Sequence, residues 1–139
     1  MATRYTCSEF TTDSGANVAT AEDKLELAEK HLAKVQLAWD PPDWLELSLF
    51  GFYALEAAVE AAAIHCGMEV KKNHPARVAA AHKLHEDFRL PDVAGLLRDL
   101  NETRKSEAYG DVVAPDLDAE DVASEVELYV AAVTDMLGG

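Results

Sequence analysis

Apolar residues recur at helical spacing through most of the chain. Leu25, Leu32, Val35 and Trp39 form the first such stripe. Thr20 stands ahead of it with Asp23 three residues on, a variant of the capping box, so a helix is expected from about Thr20. Asp40-Pro41-Pro42 breaks that helix. The same residues are expected to start the next, with Asp40 as cap and proline in the first turn. The second helix, about Pro42 to His65, is the most apolar. Leu45, Leu49, Phe52 and Leu55 lie on one side, Leu47, Phe50 and Tyr53 widen the stripe, and alanines follow at 57, 58 and 61–63. A helix apolar around most of its circumference belongs at the centre, wrapped by its neighbours. Gly67 is its natural end.

Pro75 opens a third periodic stretch that closes near Phe88, and Leu90-Pro91-Asp92 restarts a fourth that ends at Gly110. Asp116 or Asp118 is expected to cap a fifth, with Val122, Val126, Tyr129, Val133 and Leu137 as its buried face. No segment alternates like a strand. The fold class expected is therefore all-α, an antiparallel bundle of about five helices, because short joints favour antiparallel neighbours. Residues 1–19 lack an apolar period and are expected to form a flexible N-terminal arm, leaving 20–139 as the bundle domain. Trp39 and Trp44 flank the proline turn and are expected to staple the first two helices.

The chain has 139 residues and a net charge of −14, which excludes nucleic-acid binding by bulk attraction over the whole surface. The charge is uneven. Residues 71–105 hold eight of the twelve basic residues and only five acids, a net +3 that leaves −17 for the remainder. His74, His82 and His85 fall in the same stretch. The third and fourth helices, with the loop before them, are thus the region able to meet a phosphate. Two distant cysteines, Cys7 and Cys66, make no disulfide framework, so a reducing, cytoplasmic setting is expected. No apolar run is expected to span a membrane, and no signal peptide is expected.

One residue breaks the apolar logic of the fourth helix. Val93, Leu96, Leu97 and Leu100 make its stripe, and Arg104 continues it. A guanidinium is rarely buried without a partner, so Arg104 is expected to pair with a carboxylate, line a cleft or lie in a subunit interface. Glu107, three residues on, is the nearest carboxylate in sequence to bracket it. His82, His85 and Glu86 share a helix face, but no second helix supplies a matching ligand set. Neither a metal nor a cofactor is expected. The His65-Cys66 pair lacks an orienting third group, no glycine-rich phosphate loop is present, and Phe50, Phe52 and Tyr53 are read as core rather than a base-stacking platform.

The run Leu100-Asn101-Glu102-Thr103-Arg104-Lys105-Ser106-Glu107-Ala108-Tyr109-Gly110-Asp111 resembles the late-helix motif of the HEPN family (higher eukaryotes and prokaryotes nucleotide-binding), and Tyr53-Ala54-Leu55-Glu56-Ala57 is similar to its Tyr-Ala-rich helix. The resemblance spans roughly residues 20 to 137. It implies a helical bundle that homodimerises, a toxin–antitoxin or phage-defence setting, and a nucleotidyltransferase-type partner. In catalytic members an Arg is followed after four to six residues by a His, and the motifs of two subunits meet in one cleft to cut RNA without metal. Arg104 matches the Arg. The slots for the His hold Tyr109, Gly110 and Asp111, and Lys105 replaces the polar residue after the Arg. Tyr is a poor base at neutral pH where His is a natural one.

The expectation is accordingly an accessory protein that binds RNA, a nucleotide or a phosphorylated ligand through a dimeric cleft. Arg104, Lys105, Glu107 and Tyr109 would be the binding residues, and the fourth helix the dimer face. Two alternatives stand beside it. One is an active metal-independent RNase using Arg104 with Tyr109 or a displaced His. The other is a protein-interaction module whose acidic faces, Glu22 to Glu29 and Asp116 to Glu127, bind a basic partner.

Overall fold

The structure is a computed structural model that describes residues 19–109 and 117–138, the side chains of 108 and 109 excepted. All but the last residue of the arm expected at 1–19, the Gly110-Asp111 pair and Asp116 lie outside the described residues. The described residues form an all-α bundle of five helices: α1 (Ala21–Ala38), α2 (Trp44–His65), α3 (His74–Phe88), α4 (Ala94–Tyr109) and α5 (Ala119–Gly138).

Local chemistry sets each boundary. Thr20 and Asp23 close a reciprocal capping box at the start of α1, each side chain accepting the other's backbone N–H. The cap of α2 is Asp43 rather than the expected Asp40. Its carboxylate accepts the Glu46 N–H at 3.1 Å, while Trp39 and Pro42 bridge across the turn and the Asp43 N–H reaches back to the Ala38 carbonyl. The two prolines thus belong to the joint and not to the first turn of α2, which begins at Trp44 behind the Asp43 cap. Cys66 and Gly67 end α2, the glycine at φ 73° in the left-handed region where a Cβ would be strained. Asn73 caps α3, with Pro75 in its first turn, and Arg89 closes that helix at φ 64°. Asp118 starts α5, its carbonyl accepting from the Val122 N–H.

The central place expected for α2 is observed: it packs against all four other helices. Its buried stripe is rotated from the one read in the sequence. Leu47, Ser48, Gly51, Phe52, Leu55, Ala58, Val59 and Ala62 face inward, whereas Leu45 is 46% exposed. Small residues let the neighbours come close. A Cβ placed on Gly51 would stand 3.3 Å from the Leu100 side chain of α4 and 3.7 Å from Val126 of α5. On α5, Val122, Val126, Tyr129 and Val133 are buried as expected, with Val130 and Met136 joining them in place of Leu137. By length and composition alone the α2 helix is apolar enough to cross a membrane. Two thirds of that stretch is buried inside the bundle, as in a core helix.

Contacts along α1 and α2 run in opposite senses, Lys24 meeting Glu60 and Lys34 meeting Phe50, so this pair is antiparallel. The first turn of α3 returns to the middle of α2: His74 touches Phe52, and Arg77 reaches Glu56 and Glu60. That placement brings the basic stretch against the centre of the bundle.

Candidate binding cleft around Arg104

Arg104 sits where its helix position requires, at the end of the apolar stripe of α4 and facing α2. Its guanidinium lies over the Phe52 ring, 4.5 Å from the centroid. Phe52 is only 3% exposed, so the cation rests on a core ring. Among the described residues Arg104 makes no ion pair, and its Nε is buried without a hydrogen-bond partner. Glu107, expected to bracket it, forms no ion pair with it. Lys105 is exposed beside it, and the Tyr109 side chain lies outside the described residues.

Three further groups complete the surroundings. His74, at the start of α3, packs its ring 5.7 Å from the Phe52 centroid, and its Nδ1 is buried without a partner. Burial, reinforced by the Lys105 and Arg104 charges, holds the His74 imidazole below its ordinary pKa. Asn101, one turn before Arg104 on the same face, is 5% exposed and leaves its Oδ1 without a partner. Glu56 projects from α2 one turn beyond Phe52. Burial raises its pKa, Arg77 and Arg104 pull it back, and Glu60 pushes it up again.

Arg77 is the structural cation of the region. It bridges Glu56, at 2.9 Å, and Glu60, which Lys24 also meets at 2.8 Å. Burial alone would raise the Glu60 pKa, but hydrogen bonds from Lys24 and Arg77 bring it below the ordinary carboxylate value. Glu56 and Glu60 are therefore hydrogen-bonded by Arg77 and Lys24, and Arg104 feels the Glu56 charge without forming an ion pair with it. Beside His74 a groove of about 590 Å³ opens between α3 and α4, lined in part by Val78, His82, Asp92 and Arg98.

Arg104 was legible in the sequence, and so was Lys105. His74, Asn101, Glu56 and Arg77 were not singled out as members of one site. A signal existed for Asn101, which falls four residues after Leu97 and three before Arg104 on a face that ought to be apolar. Glu56 and Glu60 were likewise visible as acids one turn apart in the most apolar helix. His82 is exposed, and the His85 ring pairs with the Leu90 carbonyl at 2.9 Å, so these two serve different surroundings. Among the described residues no three His, Cys, Asp or Glu side chains gather to hold a metal ion.

Chemically the cleft offers a guanidinium Nε–H, an imidazole nitrogen and an amide oxygen, all withdrawn from water and lacking protein partners. Buried polar atoms are paired in the great majority of cases, and clusters of exceptions mark places where a ligand or ordered water belongs. A guanidinium with spare donors above an apolar ring is suited to a phosphate. No known protein family, no curated protein and no solved structure matches this chain.

Proposed function

We propose that the protein is a HEPN-like, cytoplasmic accessory module that binds RNA, a nucleotide or another phosphorylated ligand at Arg104. The observation that carries this reading is the buried, unpartnered Nε of Arg104. Burying a guanidinium N–H without an acceptor costs stability, and an arriving phosphate would supply the missing acceptor. Lys105 at the rim adds charge, and the unpartnered atoms of His74 and Asn101 add ligand contacts. A homodimer closing over α4, a toxin–antitoxin or defence setting and a nucleotidyltransferase-type partner follow from the HEPN resemblance and belong to the same proposal. The test is binding of a labelled RNA oligonucleotide across a salt series. Arg104→Ala should weaken it about 10- to 100-fold, the loss of a charge-assisted contact, with a shallower salt dependence. Partner binding that survives Arg104→Ala but fails on charge reversal at Asp118, Glu120 and Asp121 would favour the acidic-module alternative instead.

A second reading, cleavage, gains from one observation: a histidine absent from α4 is supplied beside Arg104 by α3. Held below its ordinary pKa, His74 is neutral at pH 7 and able to accept a proton. It would take the proton of a 2′-hydroxyl as that oxygen bonds to phosphorus. The P–O5′ bond would break, and the departing oxygen would take a proton from water, leaving a 2′,3′-cyclic phosphate and a 5′-hydroxyl. Cyclic-phosphate ends on RNA from cells expressing the protein, and their loss in His74→Ala, would establish it. Intact RNA with retained binding would restrict the protein to recognition.

A further inference from the structure

Phe50, Phe52 and Tyr53 read as core in the sequence; Phe52 is buried, and Phe50 and Tyr53 are half-buried rings packed against the core. Those two lie along the edge where α1 meets α2. His31 of α1, also half-buried, joins them. Its ring stacks on Phe50 at 5.9 Å with 25° between planes, and stands 5.2 Å from Tyr53. Tyr53 in turn lies 5.9 Å from Phe52, the ring that carries Arg104. At the far end the exposed Lys34 places its ammonium 5.1 Å from the Phe50 centroid. The result is a chain of ring contacts from Lys34 to Arg104, half-buried at His31, Phe50 and Tyr53 and buried at Phe52.

A purely structural edge has no need of this composition. Phe50 and Tyr53 do pack against the core, but that packing requires neither a histidine stacked on Phe50 nor a lysine over it, and an exposed lysine over a half-buried ring adds little to stability. Of the α2 acids, Glu56 and Glu60 are engaged by Arg77 and Lys24, and the exposed Glu46 lies one turn before Phe50. Half-exposed aromatic faces next to fixed cations are what unpaired nucleobases and their backbone phosphates require, and such stacking tolerates any base.

We infer that the α1–α2 edge of His31, Phe50 and Tyr53, with Lys34, is a stacking site for unpaired bases of single-stranded RNA. It extends the Arg104 cleft away from α4. The inference rests on the reading of Arg104 as a phosphate anchor and names the ligand class of that site: RNA with an unpaired segment, rather than a duplex or a lone phosphate.

Fluorescence anisotropy with a labelled oligoadenylate of roughly ten nucleotides, the same sequence as a duplex, and labelled AMP separates the outcomes. The wild type is expected to prefer the single strand. Phe50→Leu and Tyr53→Leu keep apolar bulk but remove the π-face. Each should weaken the single strand about tenfold and leave AMP binding unchanged, while Tyr53→Phe should match the wild type. Lys34→Glu, at an exposed position that does not threaten folding, should weaken the single strand several-fold and flatten its salt dependence. If the leucine variants bind the single strand as the wild type does while Arg104→Ala does not, the stacking site is wrong and the anchor stands. If duplex binds as tightly as the single strand, the stacking site is also wrong. A wild type that binds no probe removes both readings. Leucine variants that keep RNA affinity but change sedimentation would make the edge a protein interface, which overturns the inference.

Discussion

Replacing Arg104 by methionine separates a functional cation from a structural one. Three terms decide the outcome for stability. The cation–π contact with Phe52 is lost, a cost of about 0.5–2 kcal/mol for a partly desolvated site. The buried Nε–H without an acceptor is removed, recovering about 1–3 kcal/mol. Methionine keeps the apolar length of the side chain and packs against an aromatic ring, so no large cavity forms. Glu56 loses a favourable neighbour but keeps its ion pair with Arg77. The terms sum to between about 1 kcal/mol destabilising and about 2.5 kcal/mol stabilising, each kcal/mol moving Tm by roughly 2–8 °C. Urea and thermal unfolding followed by circular dichroism read it, with RNA binding measured on the same preparation. Stability within that range together with lost binding is the expected pair. A destabilisation beyond about 2 kcal/mol would show that Arg104 holds the fold together, and the argument from its unpartnered nitrogen would fail.

Arg77 should behave in the opposite way. Arg77→Ala leaves Glu56 and Glu60, each less than 20% exposed, facing one another with Lys24 as the remaining ion-pair partner, and should cost about 2–4 kcal/mol in urea unfolding. Asp43→Ala removes the cap of the central helix and should cost about 0.5–2 kcal/mol, whereas Asp40→Ala should be close to neutral. Both His31 and His74 are held below their ordinary value, so the unfolded chain binds more protons than the folded one as pH drops below about 6.5. Stability from these groups is complete above that value and is lost as pH falls through it. A Tm series from pH 7.5 to 5.5, as an order-of-magnitude window around the histidine pKa, should decline, and less steeply in His74→Gln.

The helices were readable because their periodicity, caps and breakers agree at each level, from the Thr20–Asp23 box to Gly67. The cap of α2 was misplaced because two acids, Asp40 and Asp43, flank the prolines, and only the fold of that turn decides between them. Which side of α2 is buried was also hidden: a helix apolar nearly all round carries no strong directional signal. Arg104 stood out by contrast with its stripe. Its neighbours His74 and Glu56 did not, since they come from other helices and only the return of α3 to the middle of α2 brings them near. Glu107 was favoured by proximity in sequence, which the actual side-chain directions do not honour.

The unequal anchoring of the helices sets an order of opening. The α2 amides lie in the helix that touches all others and should exchange with solvent only when the whole protein unfolds. The α3 helix buries just Ala80, Ala81 and Leu84 and depends on Arg77 for its hold on α2. Its amides should exchange through a local detachment well below the global free energy, and more readily still when Arg77 is gone. His74 rides on that loosely held helix while Phe52 and Arg104 stay with the core. The cleft therefore has one fixed wall and one hinged wall, and ligand bound across both should slow exchange in α3 while leaving α2 unchanged.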